Sequence, residues 1–252
     1  MGQDIRKDYT IGLVVPFATD TVPDEGRQMY PGVRFLARGV GVRSLTPTGY
    51  DGAWDAILPA AEHLAEQNVD AIMVIGTSLT FYRGSDLHEQ LVEKLRARTG
   101  LPVSTMSQAV VDGLRHFGAR RIVVATAYAD DVNNRLKDFL TAQGFEVLAL
   151  EGFGLFGFGE PGNKSEADII ALGSAVCAQA PTAQGLLISC GGLRTLGVAK
   201  PLEERHGIPV VSSTQAAFWA AMRLLGEDGH VAGRGRLLAQ STAAQISATP
   251  VH

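Results

Sequence analysis

Cysteine, basic excess and long apolar runs are all scarce in this chain of 252 residues, and each scarcity closes a class of function. Cysteine occurs only at Cys177 and Cys190, so a disulfide framework is excluded. Lysine and arginine number 22 against 26 aspartates and glutamates, a formal net charge of −4. That balance offers no electrostatic footprint for nucleic acid or an anionic membrane. No apolar run approaches the roughly 20 residues that span a bilayer. The start, Met1 to Asp8, is polar and runs straight into a strand, which predicts no signal peptide. Gly2 opens no myristoylation motif, because Arg6 stands where Ser or Thr is wanted. The expected compartment is the cytoplasm. Six histidines (His63, His88, His116, His206, His230 and His252) are scattered, and none forms a paired ligand motif, so no metal site is expected. No histidine sits at a predicted strand end, where a papain-like Cys-His pair would want it.

What is present is alternation. Short apolar runs at Ile11–Val15, Asp70–Ile75, Arg121–Thr126 and Gly185–Ser189 end at Pro, Gly or polar residues, as strands buried on both faces do. A further strand is expected over Val33–Ala37, and others over Leu101–Ser104, Phe145–Leu150 and Ile208–Val211. Helical spacing joins Trp54, Ile57, Leu58, Ala61 and Leu64, with a bend expected at Pro59, and covers 131–144, 165–180 and 216–225. Cys177 falls among Ile169, Leu172 and Val176 in one such stretch and reads as packing. The order restarts midway. Leu13–Phe17 matches Val124–Tyr128, Asp70–Leu79 matches Gln184–Leu193, and Leu101-Pro-Val with Ser107-Gln-Ala matches Ile208-Pro-Val with Thr214-Gln-Ala. Three blocks in one order argue for internal duplication. The expected fold is α/β: two pseudo-symmetric Rossmann-like lobes with parallel sheets, over 1–115 plus 217–252 and over 116–216. Ligands of open α/β sheets bind beyond the carboxyl ends of the strands, which sets Gly76 and Cys190 on opposite walls of one cleft.

Cys190 ends an apolar strand and is followed by Gly191 and Gly192, whose amides can point at an anion beside the thiol. Thr77, Ser78 and Tyr128 also fall just past strand ends, and Pro16 closes the first strand. Hydroxyls, a phenol and backbone amides make a cage of neutral donors, suited to a carboxylate and to the enediolate formed when a bond α to it breaks. Capping of the next helix by Thr77 and Ser78 would use the same geometry, so both readings stand. Gly152-Phe-Gly-Leu-Phe-Gly157 spells a dinucleotide fingerprint, but Phe158-Gly-Glu-Pro161 follows it and no helix opens there. It reads as a mobile glycine-aromatic loop over the cleft, or as a plain surface loop.

At these residues the chain resembles the arylmalonate decarboxylases of the aspartate/glutamate racemase superfamily. The resemblance rests on Gly76-Thr-Ser-Leu-Thr-Phe-Tyr-Arg-Gly84, Ala125-Thr-Ala-Tyr128 with Asp130-Asp-Val-Asn133, Ser189-Cys-Gly-Gly-Leu193, Pro209–Ser213, and Thr46-Pro47 with Gly49-Tyr50-Asp51. It implies a cofactor-free carboxy-lyase acting on a 2-substituted malonate, with Cys190 protonating the intermediate on one face. Thr77, Ser78, Tyr128 and the Cys190 and Gly191 amides would hold the retained carboxylate, with Gly76, Tyr50 and Pro16 in the substrate site. Racemases and maleate isomerases of the superfamily carry two facing cysteines, and Gly76 replaces the first of them here. Val42, Arg43, Leu45 and Phe158 would shape the pocket. Arg43 stands where the decarboxylases have a small residue, and the 153–161 segment also differs. The alternatives are a racemase or isomerase of a small carboxylic acid, such as EutA-like proteins of ectoine utilisation or maleate isomerase, and a non-catalytic carboxylate-binding protein. The implied partner is a small carboxylic acid, and the implied assembly is a monomer or small homo-oligomer.

Overall fold

The computed structural model describes residues 8–239. Expectations placed on the first seven residues, and on residues 240–252 with His252, lie outside the described residues. The first half runs β1 (Thr10–Val15), α1 (Asp24–Met29), β2 (Arg34–Gly39), α2 (Pro47–Ala65), β3 (Ala71–Val74), α3 (Thr77–Phe81), α4 (Ser85–Thr99), β4 (Val103–Thr105) and α5 (Met106–His116). The second half runs β5 (Arg121–Tyr128), α6 (Asp130–Ala142), β6 (Glu146–Leu155), α7 (Glu166–Gln179), β7 (Gly185–Ser189), α8 (Ala199–His206), β8 (Val210–Ser212) and α9 (Ser213–Leu224). Two parallel four-stranded sheets result, ordered β2-β1-β3-β4 and β6-β5-β7-β8. The two orders are the same, strand for strand, with β1 answering to β5, β3 to β7 and β4 to β8. Those are the strands that the matched sequence blocks pair.

Burial explains the strand sequences. The central strands β1, β3, β5 and β7 are covered on both faces and are apolar almost throughout. The edge strands β2 and β6 are only half-buried and carry charge, at Arg34 and Arg38 and at Glu146 and Glu151. Helix starts follow local chemistry. The Thr46 side chain accepts from Gly49 N at 3.2 Å with Pro47 at the first helical position. Ser165 and Asp168 form a reciprocal capping box. Helices α5 and α9 pack on each other between the sheets, and α9 also rests on β3 and β4. There Phe218 meets Phe35 edge-on, with ring centroids 5.4 Å apart.

Several boundaries differ from expectation. The helix read around Trp54 starts at Pro47 and continues through Pro59 to Ala65. The last helix starts at Ser213 rather than Ala216, directly off the strand. The strand expected to stop at Leu150 runs to Leu155, so the glycine-aromatic stretch begins as strand and not as loop. Gly152 is needed there because a Cβ would stand 2.3 Å from the Tyr128 carbonyl oxygen and 2.6 Å from Thr126 Oγ1. Beyond the strand the chain crosses to the first half. Leu45 N donates to Phe156 O at 2.8 Å, Ser44 bridges Gly157, and Phe158 meets Phe17 edge-on at 5.9 Å.

Candidate active site

The carboxyl ends of β3 and β7 open onto one cleft of about 600 Å³. Pro16, Ile75, Gly76, Thr77 and Ser78 line it from the first half, and Cys190, Gly191 and Gly192 from the second. Val42, Leu45, Tyr50 and Phe158 complete the wall that the sequence reading assembled. Arg43 is the exception: Val42 and Leu45 turn inward and are buried, and the arginine between them is exposed and stands outside the cleft wall. The pocket role expected of Arg43 is therefore withdrawn. The cation on the lining is Arg194, with Asp24, Glu25 and Glu166 on the same rim.

Cys190 sits in the turn after β7 with φ 155°, a region that side-chain-bearing residues rarely adopt. Only 5% of it is exposed. Its Sγ accepts from Gly192 N at 3.4 Å. Burial pushes the thiol above its ordinary pKa, while the Gly192 amide, Tyr128 and the Leu193 amide pull the other way. The balance keeps a proton on sulfur at neutral pH, which is the state a general acid needs. Cys177 lies in α7, where burial alone raises it to about 11, in keeping with a packing role.

Thr77 and Ser78 are the first two residues of α3, behind Gly76, and neither hydroxyl caps the helix. The capping alternative falls. Thr77 is not a free donor, however. Its Oγ1 donates to Ser213 Oγ at 2.8 Å, and the Cys190 amide donates to the same oxygen at 3.3 Å. Two groups expected to face the anion are turned onto a residue that sequence reasoning missed. Ser212-Ser213-Thr214 runs off the end of β8 as Thr105-Met106-Ser107 runs off the end of β4, a hydroxyl-rich strand end that does not by itself say which oxygen meets Thr77.

Tyr128 was expected past its strand but is the last residue of β5, wholly buried behind the cleft wall. Its hydroxyl lies beside Ser189, Ser78 and Cys190 without a hydrogen-bond partner among the described residues. Tyr50 lines the cleft from α2, and its hydroxyl is likewise buried and unpartnered. It stands beside Ser78 and stacks at a tilt on Tyr82, 5.1 Å between centroids. Desolvation raises both phenols above their ordinary pKa, so both stay neutral donors. Orphaned buried hydroxyls converging on a buried thiol are costly unless a ligand uses them. Among the described residues no cluster of histidine, cysteine and carboxylate could hold a metal ion.

Comparison with known proteins meets this geometry. A family model described as arylmalonate decarboxylase matches residues 11–238. The arylmalonate decarboxylase of Bordetella bronchiseptica is 41% identical over 233 residues, covering 92% of this chain and 97% of that protein. A maleate isomerase of Nocardia farcinica is 26% identical over 94% of this chain and 98% of its own. Among solved structures, a liganded arylmalonate decarboxylase carrying a glycine-to-cysteine and a cysteine-to-serine change superposes with a TM-score of 0.89 at 40% identity. It covers 91% of this chain and 98% of its own. A maleate isomerase from Pseudomonas putida S16 with maleate superposes at 0.87 and 19% identity, covering 92% and 98%, which speaks for the fold alone. With the match spanning both sheets and the cleft between them, the chain belongs to the arylmalonate decarboxylase family.

Proposed function

We propose that this carboxy-lyase decarboxylates a 2-substituted, aryl-bearing malonate and that Cys190 delivers the proton to one face of the intermediate. The observation that carries this reading is the asymmetry of the cleft: a protonated, buried thiol on one wall and Gly76 on the other, with neutral hydroxyl donors between them. The retained carboxylate would be held by Ser78, Tyr50, Tyr128 and the Gly191 amide, with the Thr77 side chain fixed beside them by its bond to Ser213. The departing carboxylate would sit against Pro16, Val42, Leu45 and Phe158, where poor solvation of its charge favours loss of neutral CO2. The electron pair of the broken C–C bond passes into an enediolate conjugated with the retained carboxyl, which the donors stabilise more strongly than the ground state. Cys190 then gives its proton to the α carbon, and the thiolate takes one back from solvent. Electrons stay within the substrate throughout, so this route needs no cofactor. The glycine and cysteine altered in the solved relative have the same sequence separation as Gly76 and Cys190, which supports these two positions as the opposed pair. The two unpaired cysteines support a reducing compartment, the cytoplasm.

CO2 release from phenylmalonate by purified protein is the direct test. Cys190→Ser should lower turnover about 10²- to 10⁴-fold, the usual contribution of a positioned general acid. Full turnover by that variant would sink the assignment. Conversion of maleate to fumarate without CO2 release would instead move the protein to the isomerase reading.

A further inference from the structure

Ser213 is the first residue of α9, where the chain leaves β8 and crosses to rest on the first sheet. It is fully buried and is not among the residues that line the cleft. Its Oγ nevertheless joins two elements of the site. Thr77 Oγ1, at the end of the first sheet, donates to it at 2.8 Å, and Cys190 N, at the end of the second, donates to it at 3.3 Å. We propose that Ser213 is a positioning residue that sets the Thr77 hydroxyl and the Cys190 backbone in register for the retained carboxylate. The proposal rests on the decarboxylase reading for its chemistry and on the hydrogen bonds for its geometry.

The fold itself does not require a hydroxyl here. The matched blocks align Thr105-Met106-Ser107-Gln108-Ala109 with Ser212-Ser213-Thr214-Gln215-Ala216, so the counterpart of Ser213 is Met106, the first residue of α5. By the same alignment Gly191 is the counterpart of Thr77. Met106 lies against Gly191, and a Cβ on that glycine would stand 3.0 Å from the methionine sulfur. One scaffold thus carries an apolar contact on the Gly191 side and a hydroxyl pair on the Thr77 side. The serine occurs where a threonine must be aimed.

The direction of the bond adds a mechanism. Thr77 Oγ1 and Cys190 N both donate to the one Ser213 oxygen, which ties the start of α3 to the turn after β7. The neighbours of those two groups, Ser78 and the Gly191 amide, are thereby held at a fixed spacing across the cleft. A donor set fixed in advance gains most where the charge on the anion is largest. Ser213 should therefore matter more to the enediolate than to the bound acid.

The test is a double-mutant cycle with Ser213→Ala and Thr77→Val, read on phenylmalonate turnover and on phenylacetate affinity by calorimetry. Ser213→Ala should lower kcat about tenfold with KM moved less than threefold, and weaken phenylacetate about threefold. In the Thr77→Val background the same change should cost less than twofold on either readout. Equal costs in both backgrounds would overturn the proposal, as would an unchanged kcat. If Ser213→Ala does not fold, Ser213→Cys enters the same cycle with the same expectation. A wild type that binds phenylacetate with this coupling but releases no CO2 would overturn the decarboxylase reading and leave Ser213 in place. Failure of the wild type to bind phenylacetate would overturn both.

Discussion

Gly76 has φ 119°, and a Cβ built on it would stand 3.2 Å from Leu79 Cβ and 3.8 Å from Pro16 Cβ. A cysteine there meets both backbone strain and a close neighbour, so Gly76→Cys should cost about 1–3 kcal/mol. It would also set a second acid on the empty wall. The expected outcome is a lower unfolding midpoint together with new solvent-deuterium exchange at the α carbon of a bound 2-arylpropionate. Mass spectrometry of the recovered acid reads it, and absence of exchange would count against the facing-wall geometry. At this scale Cys190 was legible, because a thiol ending an apolar strand before two glycines has few structural meanings. Ser213 was not. Its role depends on three segments meeting at one oxygen, 136 residues from Thr77 and 23 from Cys190, and no local pattern carries that. Arg43 misled for a related reason: one residue of rotation along a loop decides between cleft and solvent, and residue type alone cannot fix it.

Helix α4 is tied to the first sheet through His88, which is buried and within 2.7 Å of Thr105 Oγ1 at Nε2. Thr105 already accepts from Gln108 N, so its own proton is free for the ring, which suits a neutral imidazole. Desolvation lowers the His88 pKa from 6.5 to about 4. The folded value lies below the unfolded one, so the unfolded chain binds more protons between them. Stability is then full above pH 6.5 and is lost as pH falls toward 4, by roughly 3 kcal/mol for a shift of this size. Asp112 and Glu203, raised by burial, act in the opposite sense and are common to wild type and variant. Thermal unfolding between pH 7 and 4 should therefore show a flatter acid limb in His88→Gln than in wild type. Parallel curves would refute it. Elements were the most legible level, since the central strands are apolar runs with abrupt ends. The errors gathered at β6 and α9, where glycine and serine carried structural duties that resemble loop composition.

The two sheets share one strand order and one cleft, and α9 closes the chain back onto the first of them. We propose that residues 217–239 belong with the first lobe for this reason. Phe218 is its anchor, fully buried against Phe35 and lying over Gly26, where even a Cβ would stand 2.3 Å from the ring. Phe218→Ala should cost about 3–5 kcal/mol in urea denaturation, the range for emptying a buried phenylalanine site. A loss under 1 kcal/mol would mean that α9 is not docked as described. The duplication was legible because it kept order and spacing in three blocks, whereas the helix that crosses back leaves no periodic trace.

The repeated strand order has a consequence for ancestry and handedness. Half a chain, sheet order β2-β1-β3-β4 with its terminal helix, would have met a copy of itself across a two-fold axis. In such a homodimer every position faces its own twin, so both walls carry the acid or neither does. Such a pair can invert a stereocentre but has no means of preferring one mirror image through its acid. Once the two halves are encoded separately, as they are along this one chain, a mutation can strike Gly76 and spare Cys190. Chirality in the product is, on this view, a property that fusion made heritable.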